Sequence, residues 1–356
     1  MLGFTPPRGG RTVLAALAAL AFLAGPAAAG AMADPGALYT QTNDPAGNAV
    51  QAFDRDAHGA LQPAGTYPTG GAGLASLGGR QGAVEVSDDE STVYAVKAGS
   101  NTVSAFRVRR DGLALATVTG SGGSAPDSID EQDGRVYVLN SGGTPNVAAY
   151  RAHGDGSLEP IGSRDLPGAL GAAEVSVAPD GSALVVSERL SNRLETLPLD
   201  AAGVPGAAVA TASSGAVPFG FAFGHRGDVV VSEAGASTVS SYRLAGDSLD
   251  AVTASLPVGF GAACWVAVAP TGRFAYTGNA SGSISGFAIG RDGSLSALGN
   301  TPTPSPRDLD FSRNGRFHYA VSPTGRVTGY SVDSDGSLEQ VTSVAAAPGI
   351  TGAAAG

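Results

Sequence analysis

The sequence is poor in cysteine and histidine, and this scarcity limits the chemistry open to it. Cys264 is the only cysteine among 356 residues, so no internal disulfide can form. The four histidines fall in different sequence repeats, and the strand order predicted below places all of them on one rim of the fold. A histidine-based zinc site or a Ser-His-Asp triad is therefore not expected, and we predict no metal and no cofactor.

Long apolar runs are also missing, apart from one near the N-terminus. Residues 13–24 are apolar but too short to span a membrane, and Arg8 and Arg11 precede them. The tripeptide at 31–33, Ala-Met-Ala, resembles a cleavage site. The pattern predicts a secretory signal peptide over residues 1–33 and an extracellular or periplasmic protein. The alternative is a buried N-terminal helix.

Basic residues are few relative to acidic ones. The leader contains two of the 21 basic residues and none of the 31 acidic ones, so the mature chain carries a formal charge of −12. A negative surface argues against nucleic acid and anionic membranes as partners. We expect a monomer whose partner is a small-molecule substrate or ligand.

What the chain does contain is a repeated strand pattern. Residues 216–244 hold three short apolar runs separated by Gly-containing turns, and a fourth run follows at 249–256. Runs of this length and composition are typical of β-strands, and four antiparallel strands in about 45 residues make one propeller blade. After a longer first interval, the second strand recurs every 43 to 48 residues. Its seven copies are Leu38-Tyr39, Val93-Tyr94, Val136-Tyr137, Leu184-Val185, Val229-Val230, Ala275-Tyr276 and His318-Tyr319.

The first strand of the repeat is visible only six times, because the mature chain begins almost directly at a second strand. The tail at 347–356 resembles the missing copy. We therefore predict an all-β, seven-bladed β-propeller over residues 34–356, closed by a C-terminal strand that completes blade 1. Residues 62–80, rich in Gly and Pro, are predicted to form an inserted loop, either a connector or a substrate lid.

The strand order assigns polar residues to two rims. We call the near rim the one where second strands end and first strands begin. Ends of second strands supply Asn43, Lys97, Asn140, Glu188, Arg189, Glu233 and Asn279, and starts of first strands supply Gln81, Asp127, Glu174, Phe219, Trp265, Arg307 and Asp308. Carboxylates beside arginine and lysine could orient an anionic substrate and provide a general base. Alternatively, these polar residues cap strand ends and pair with one another, and Trp265 and Phe219 pack between blades.

The repeats resemble those of the seven-bladed lactonase family, which includes propeller-type 6-phosphogluconolactonases and carboxymuconate-lactonising enzymes. The resemblance extends over residues 37–356 and is carried by segments such as PDSIDEQDGRVYVLN and PFGFAFGHRGDVVVSEAGASTVSSY. Other segments, such as VSVAPDGSALVVSERLSNRLET, are similar to a secreted bacterial branch. The resemblance implies a central site built from an Asn-Glu strand end, a Pro-Arg-His triplet and a Pro-His pair. Here Glu188 and Arg307 match, whereas Asp308 and Asp127 stand where histidines are expected.

Two functions remain open from the sequence. The first is metal-independent hydrolysis of a small anionic lactone, in which Glu188 activates water, Arg307 holds the carboxylate or developing oxyanion, and Asp308 or Glu233 assists. Substrate contacts are expected from Lys97, Arg189, Asn43, Asn140, Asn279, Gln81 and Trp265. The second is a non-catalytic extracellular propeller that binds a ligand or a protein partner.

Overall fold

The computed structural model describes residues 1–3, 36–74, 81–224 and 226–356. Two units are distinguished, Met1–Ala33 and Asp34–Gly356, and the second contains all 28 strands. These strands form seven sheets of four antiparallel strands each, arranged as the blades of a ring. The predicted fold class is confirmed. No helix in the described part of the chain is long and apolar enough to cross a membrane.

The strands follow the predicted order in every blade. Blade 1 contains β28 (Thr351–Ala355), β1 (Gly36–Gln41), β2 (Ala49–Arg55) and β3 (Leu61–Pro68). Blade 2 contains β4 (Val84–Val86), β5 (Thr92–Lys97), β6 (Thr102–Arg109) and β7 (Gly112–Gly120). Blade 3 contains β8 (Ser124–Gln132), β9 (Arg135–Gly142), β10 (Asn146–Ala152) and β11 (Leu158–Asp165). Blade 4 contains β12 (Ala172–Val177), β13 (Ala183–Glu188), β14 (Arg193–Pro198) and β15 (Val209–Ala212).

The remaining three blades repeat this arrangement. Blade 5 contains β16 (Pro218–Phe223), β17 (Asp228–Glu233), β18 (Thr238–Ala245) and β19 (Ser248–Pro257). Blade 6 contains β20 (Ala263–Val268), β21 (Phe274–Asn279), β22 (Ser283–Ile289) and β23 (Leu295–Pro302). Blade 7 contains β24 (Asp308–Phe311), β25 (Phe317–Ser322), β26 (Arg326–Val332) and β27 (Leu338–Ala345).

The hydrophobic core lies between neighbouring blades. Between blades 3 and 4, for example, Tyr137 and Leu139 pack with Leu184 and Val186, and all four are almost fully buried. The alternation of side chains along a strand gives each middle strand two apolar faces, one for each neighbour. The core therefore consists of seven hydrophobic clusters, each formed mainly by two neighbouring blades.

The C-terminal strand closes the ring as predicted. Strand β28 pairs antiparallel with β1, with Leu38 opposite Ala355. Beyond the strand, the amide of Ala37 donates to the carbonyl of Gly356, and the Arg55 guanidinium donates to the same carbonyl at 3.1 Å. Pairing with β28 covers the edge of β1 that would otherwise be open and completes the fourth strand of blade 1.

The prediction for residues 62–80 was wrong in its first part. Residues 62–68 belong to strand β3, the outermost strand of blade 1, whose register pairs Tyr67 with Val50. The Gly and Pro residues are tolerated there because an outer strand has one free edge. Residues 75–80 lie outside the described residues, as do His225 and nearly all of the predicted signal peptide.

Candidate functional site

The centre of the ring contains a cavity of about 390 Å³. Its wall receives residues from the innermost strand, or the turn beside it, of all seven blades. Acidic residues of this wall are Glu85, Asp88, Asp130, Glu131, Glu174, Asp308 and Asp310. We call this region the acidic channel.

The carboxyl groups of the channel accept hydrogen bonds from the backbone of the next blade. Asp130 Oδ2 accepts from the Val177 amide at 2.7 Å, and Glu174 Oε2 accepts from the Phe221 amide at 2.7 Å. Asp310 Oδ2 accepts from the Ala355 amide in the same way. The innermost strand of each blade is an edge strand, so its free amides need acceptors from elsewhere. The acids of the channel supply these acceptors and so connect the blades.

Burial of these acids disfavours their charged forms. Burial raises the pKa of Asp310 to about 7, and it raises the pKa values of Glu174 and Asp308 well above the usual range. The pKa of Glu85 is raised for the same reason, and the nearby charges of Asp130 and Asp310 raise it further. Part of the channel is therefore protonated near neutral pH.

Gln81 crosses the channel from blade 2 to the opposite side of the ring. Its amide nitrogen donates to the carbonyls of Phe221 and Val266 at 3.0 and 2.7 Å, and its oxygen accepts from the Val266 amide at 2.8 Å. A Cβ added to Gly220 would lie 2.0 Å from this oxygen. Blade 5 thus has no side chain at Gly220 to bind the Val266 amide, and Gln81 binds it instead.

Four side chains on the near-rim side of Gln81 form a second cluster. The guanidinium carbon of Arg307 lies 5.2 Å from the centre of the Trp265 ring, and that of Arg189 lies 5.1 Å from the centre of the Phe219 ring. The two aromatic rings meet edge to face at 5.8 Å. These residues come from blades 4, 5, 6 and 7. We call them the arginine–aromatic cluster.

The charges of this cluster are not neutralised by the described residues. Arg189 donates only to the carbonyl of Gly171, at 3.1 Å, and neither arginine forms an ion pair with a described carboxylate. The Nε atom of Arg307 is buried without a described hydrogen-bond partner. Two partly exposed guanidinium groups over aromatic rings are suited to binding a planar anion.

The structure places Glu188 and Glu233 away from this cluster's exposed surface. Glu188 is fully buried and forms an ion pair with Arg193, with Nε and Oε2 separated by 2.8 Å. Glu233 is also fully buried and accepts hydrogen bonds from the Gly215 amide and from the Ser240 hydroxyl, at 2.7 and 2.6 Å. Gly215 lies on the connector from blade 4, so Glu233 holds that connector in place. The predicted roles of both glutamates in catalysis remain predictions.

Lys97 and Asn140 hold connectors in the same manner. The Lys97 ammonium donates to the carbonyl of Thr69, and the Asn140 amide donates to the carbonyl of Ser121. Burial lowers the pKa of Lys97 to about 8. Asn279 donates to two serine hydroxyls of strand β22, and Asn43 exchanges two hydrogen bonds with Leu74. Of the predicted substrate-binding residues, only Arg189 and Trp265 belong to the arginine–aromatic cluster.

Asp308 follows Arg307 but takes part in the acidic channel. Its Oδ1 accepts from the Leu309 amide at 2.8 Å and its Oδ2 accepts from the Ala353 amide at 3.0 Å. Gln81 therefore separates two of the predicted catalytic residues. Arg307 belongs to the arginine–aromatic cluster, whereas Asp308 lies in the acidic channel beside Gln81. Glu174, which the sequence placed on the near rim without a role, lies in the same layer as Asp308 and Gln81.

The described histidines do not form a site. His58 and His153 lie in turns between third and fourth strands, as predicted. His318 is fully buried, and its ring lies 4.5 Å from Phe311 and 5.1 Å from Tyr276 between the ring centres. Burial lowers its pKa to about 3, so it is neutral at physiological pH. Within the described residues, no group of three or more His, Cys, Asp or Glu side chains is arranged to hold a metal ion.

Sequence reasoning gave no role to several residues of the two regions. Phe219 and Glu174 were recognised as near-rim residues only, and Asp310, Asp130 and Glu85 were not considered. A signal for the acids was present, since Asp308 and Asp310 alternate along a first strand and so share its channel face. Phe219 gave no such signal, because an aromatic side chain in a blade ordinarily packs in the core, whereas Trp265 was expected to contact the substrate.

Known structures share this architecture at low sequence identity. A periplasmic gluconolactonase from Pseudomonas aeruginosa is 16% identical, with a TM-score of 0.74 over 90% of this chain and 98% of that one. A protein from Bacteroides fragilis, provisionally assigned as a 6-phosphogluconolactonase, is 17% identical, with a TM-score of 0.73 over 90% and 98% of the two chains. At this identity the likeness shows the fold alone. No curated protein sequence matches the chain.

A sequence model of one family matches nearly the whole propeller. Its description is "Lactonase, 7-bladed beta-propeller", and the matches span residues 46–165, 156–259 and 248–354. The resemblance noted from the blade motifs is confirmed on independent grounds. The chain belongs to the seven-bladed β-propeller lactonase family.

Proposed function

We propose that this protein is an exported lactonase that hydrolyses a small anionic lactone at the near rim of the ring. The observation that carries the proposal is the arginine–aromatic cluster, in which two guanidinium groups stack on aromatic rings without a described carboxylate partner. Membership of the lactonase family supports the reaction class. Export rests on the leader-like residues 1–33.

Arg189 and Arg307 hold the anionic group and polarise the lactone carbonyl. A guanidinium beside the carbonyl oxygen stabilises the negative charge that develops there when water adds. The partly exposed ring of Phe219 forms an apolar support for the lactone ring, and the rings of Phe219 and buried Trp265 keep the guanidinium groups of Arg189 and Arg307 in position.

We assign the general base to Glu174, which lines the same cavity as Gln81, with Asp308 as the second carboxyl group. The Glu174 carboxyl accepts from the Phe221 amide through Oε2 and is also hydrogen-bonded to the Gln81 side chain, whereas both oxygens of Asp308 accept backbone hydrogen bonds. Burial raises the pKa of Glu174 well above its usual range, so the ionised form that accepts a proton from water becomes populated as the pH rises, and turnover should increase with pH. Water adds to the carbonyl carbon as its proton passes to Glu174. The bond from that carbon to the ring oxygen then breaks, and the ring oxygen receives the proton to give a hydroxy acid.

The test is a panel of anionic lactones, followed by titration of released acid. Wild type should hydrolyse at least one lactone, Glu174→Gln should lose most of the turnover, and Glu188→Gln should keep it if the variant folds. Circular dichroism and the melting temperature establish folding for each variant. Loss of turnover in a folded Glu188→Gln variant and its retention in Glu174→Gln would reverse the assignment of the base.

A binding protein without catalysis is the second candidate. It is favoured by the commitment of Glu188, Glu233 and Asp308 to hydrogen bonds within the fold. Trp265 is the only tryptophan of the chain, so its fluorescence reports ligands at the arginine–aromatic cluster directly. Binding of carboxylates by this measure, without hydrolysis of any lactone in the panel, would favour this second candidate.

A further inference from the structure

Two exposed leucines lie on the near rim beside the arginine–aromatic cluster. Leu170 is 58% exposed and Leu190 is 74% exposed, more than any other large hydrophobic side chain in the described part of the propeller. The amide of Leu190 donates to the carbonyl of Leu170 at 3.0 Å, which brings the two residues together. We call this pair the leucine ledge. Two adjacent leucines left in water by a well-packed ring suggest a surface that binds something apolar.

The leucine ledge is continuous with the arginine–aromatic cluster. Arg189 directly precedes Leu190, and its Nε donates to the carbonyl of Gly171, the residue after Leu170. Its guanidinium then covers the Phe219 ring, which contacts Trp265. A ligand whose anionic group binds the arginines can therefore extend an apolar part over the ledge.

The same rim offers few groups for a ligand rich in hydroxyls. Lys97, Asn140 and Asn279 are fully buried, and their donors bind carbonyls or hydroxyls of the protein itself. A sugar acid brings several hydroxyl groups, and each loses its bonds to water unless the site provides a partner. The near rim therefore disfavours a polyhydroxylated substrate and favours an apolar one.

We propose that the substrate is amphiphilic, a lactone that carries an anionic group together with an alkyl or aryl substituent, which rests on the leucine ledge. That the ligand is a lactone rests on the proposed function. That it is amphiphilic follows from the leucine ledge and the arginine–aromatic cluster alone. Burial of one methylene group corresponds to about a threefold to fourfold gain in affinity. Affinity should therefore rise by about this factor for each carbon added to the chain, until the ledge is covered.

The experiment titrates the full propeller with butanoate, hexanoate, octanoate and gluconate, and follows Trp265 fluorescence. Calorimetry provides the same affinities without the optical signal. In wild type we expect affinity to rise with chain length and gluconate to bind most weakly. In the Leu170→Ser/Leu190→Ser double variant the dependence on chain length should disappear. Leu115→Ser is the matched control, because Leu115 is 44% exposed on the fourth strand of blade 2.

Three results would overturn the inference. They are equal or tighter binding of gluconate, no dependence on chain length in wild type, and a dependence that survives in the double variant. A dimer of the wild type that the double variant converts to a monomer in sedimentation would also overturn it, since the ledge would then be an interface between copies. Chain-length-dependent binding without hydrolysis of any lactone would leave the ligand class standing while the proposed hydrolysis failed.

Discussion

The acidic channel and the arginine–aromatic cluster are separated by one side chain, Gln81, and use charge in opposite ways. In the channel, Asp130 and Asp310 each accept a hydrogen bond from a backbone amide of the next blade. In the cluster, Arg189 and Arg307 have no described carboxylate partner. Carboxyl groups that accept hydrogen bonds from the backbone stabilise the fold, whereas guanidinium groups without a described carboxylate partner are available to bind a ligand.

The comparison also shows why a central cluster of carboxylates is not by itself an active site. A ring of blades has as many free inner strand edges as it has blades, and each edge presents amides that need acceptors. An Asp or Glu side chain of the preceding blade, 45 or 47 residues earlier in the chain, accepts the hydrogen bond from such an amide. Most acids of the channel are explained in this way without any reference to catalysis.

The largest expected effect is that of removing a charge from the cluster. Arg307→Gln keeps a polar side chain over Trp265 but removes the positive charge, so turnover or anion affinity should fall about 100-fold or more. Turnover of the best lactone and Trp265 fluorescence measure the loss. Arg313→Gln, on the far rim in an ion pair with Glu90, is the control and should leave both unchanged. Equal losses in the two variants would indicate that overall charge, not the cluster, attracts the anion.

The next largest effect is a loss of stability when the Gln81 side chain, which bridges the two regions, is removed. Gln81→Ala leaves the Val266 amide and the carbonyls of Phe221 and Val266 without their partner, so the melting temperature should fall by about 5 °C. Gln132→Ala is the matched control, because Gln132 makes a single hydrogen bond, to the carbonyl of Pro179 at the channel mouth. Equal melting temperatures of the two variants would show that the hydrogen bonds of Gln81 stabilise the fold no more than the single one of Gln132 does.

A smaller effect is the pH dependence of the acidic channel. The pKa of Asp310 is about 7 in the folded protein and 3.8 as an ordinary value, so between these limits the folded state holds a proton that the unfolded state has released. Stability from this group is therefore present at low pH and falls as the pH rises towards 7. Asp310→Asn should remove this part of the decline, so that its melting temperature depends less on pH between 4 and 7.

The pH experiment has to separate Asp310 from His318, which acts in the opposite direction. The pKa of buried His318 is lowered to about 3, so its contribution is present above its ordinary value of 6.5 and is lost as the pH falls. The measurement is therefore the difference in melting temperature between wild type and Asp310→Asn at each pH. Asp292→Asn, in an exposed turn, is the control. A difference that does not vary with pH would contradict the assignment.

The fold could be predicted from the sequence because its evidence is repetitive and local. Seven near-copies of one strand pattern, with a spare first strand at 347–356, determine the number of blades and the closure. The rims followed from strand order alone, which placed Glu188 at the end of β13 and Arg307 directly before β24. The boundaries at 62–68 were missed because Gly and Pro favour loops locally, and the partner strand β2 decides the conformation.

The site could be predicted only in part, because side-chain partners depend on the packing of distant blades. Glu188 at a strand end could face the channel or the neighbouring blade, and the presence of Arg193 as its partner decides this. The hydrogen-bond partners of Gln81, Phe221 and Val266, lie 140 and 185 residues away along the chain, and no local sequence pattern predicts such contacts. Nothing in the sequence around Gly220 indicates its role either, although the absence of a side chain there makes room for Gln81.

The smallest expected effect concerns Cys264, which precedes Trp265 in strand β20 and belongs to neither region. It is 8% exposed, and burial raises the pKa of its thiol to about 11, so little reactive thiolate exists at neutral pH. Cys264→Ala should therefore change turnover by no more than about twofold, and a thiol reagent should modify the native protein much more slowly than the unfolded one. Turnover of the variant and the time course of labelling test these expectations. Because Cys264 adjoins Trp265, a large loss of turnover with unchanged folding would place a nucleophile in the cluster, and a mechanism built on water and a carboxylate base would have to be abandoned.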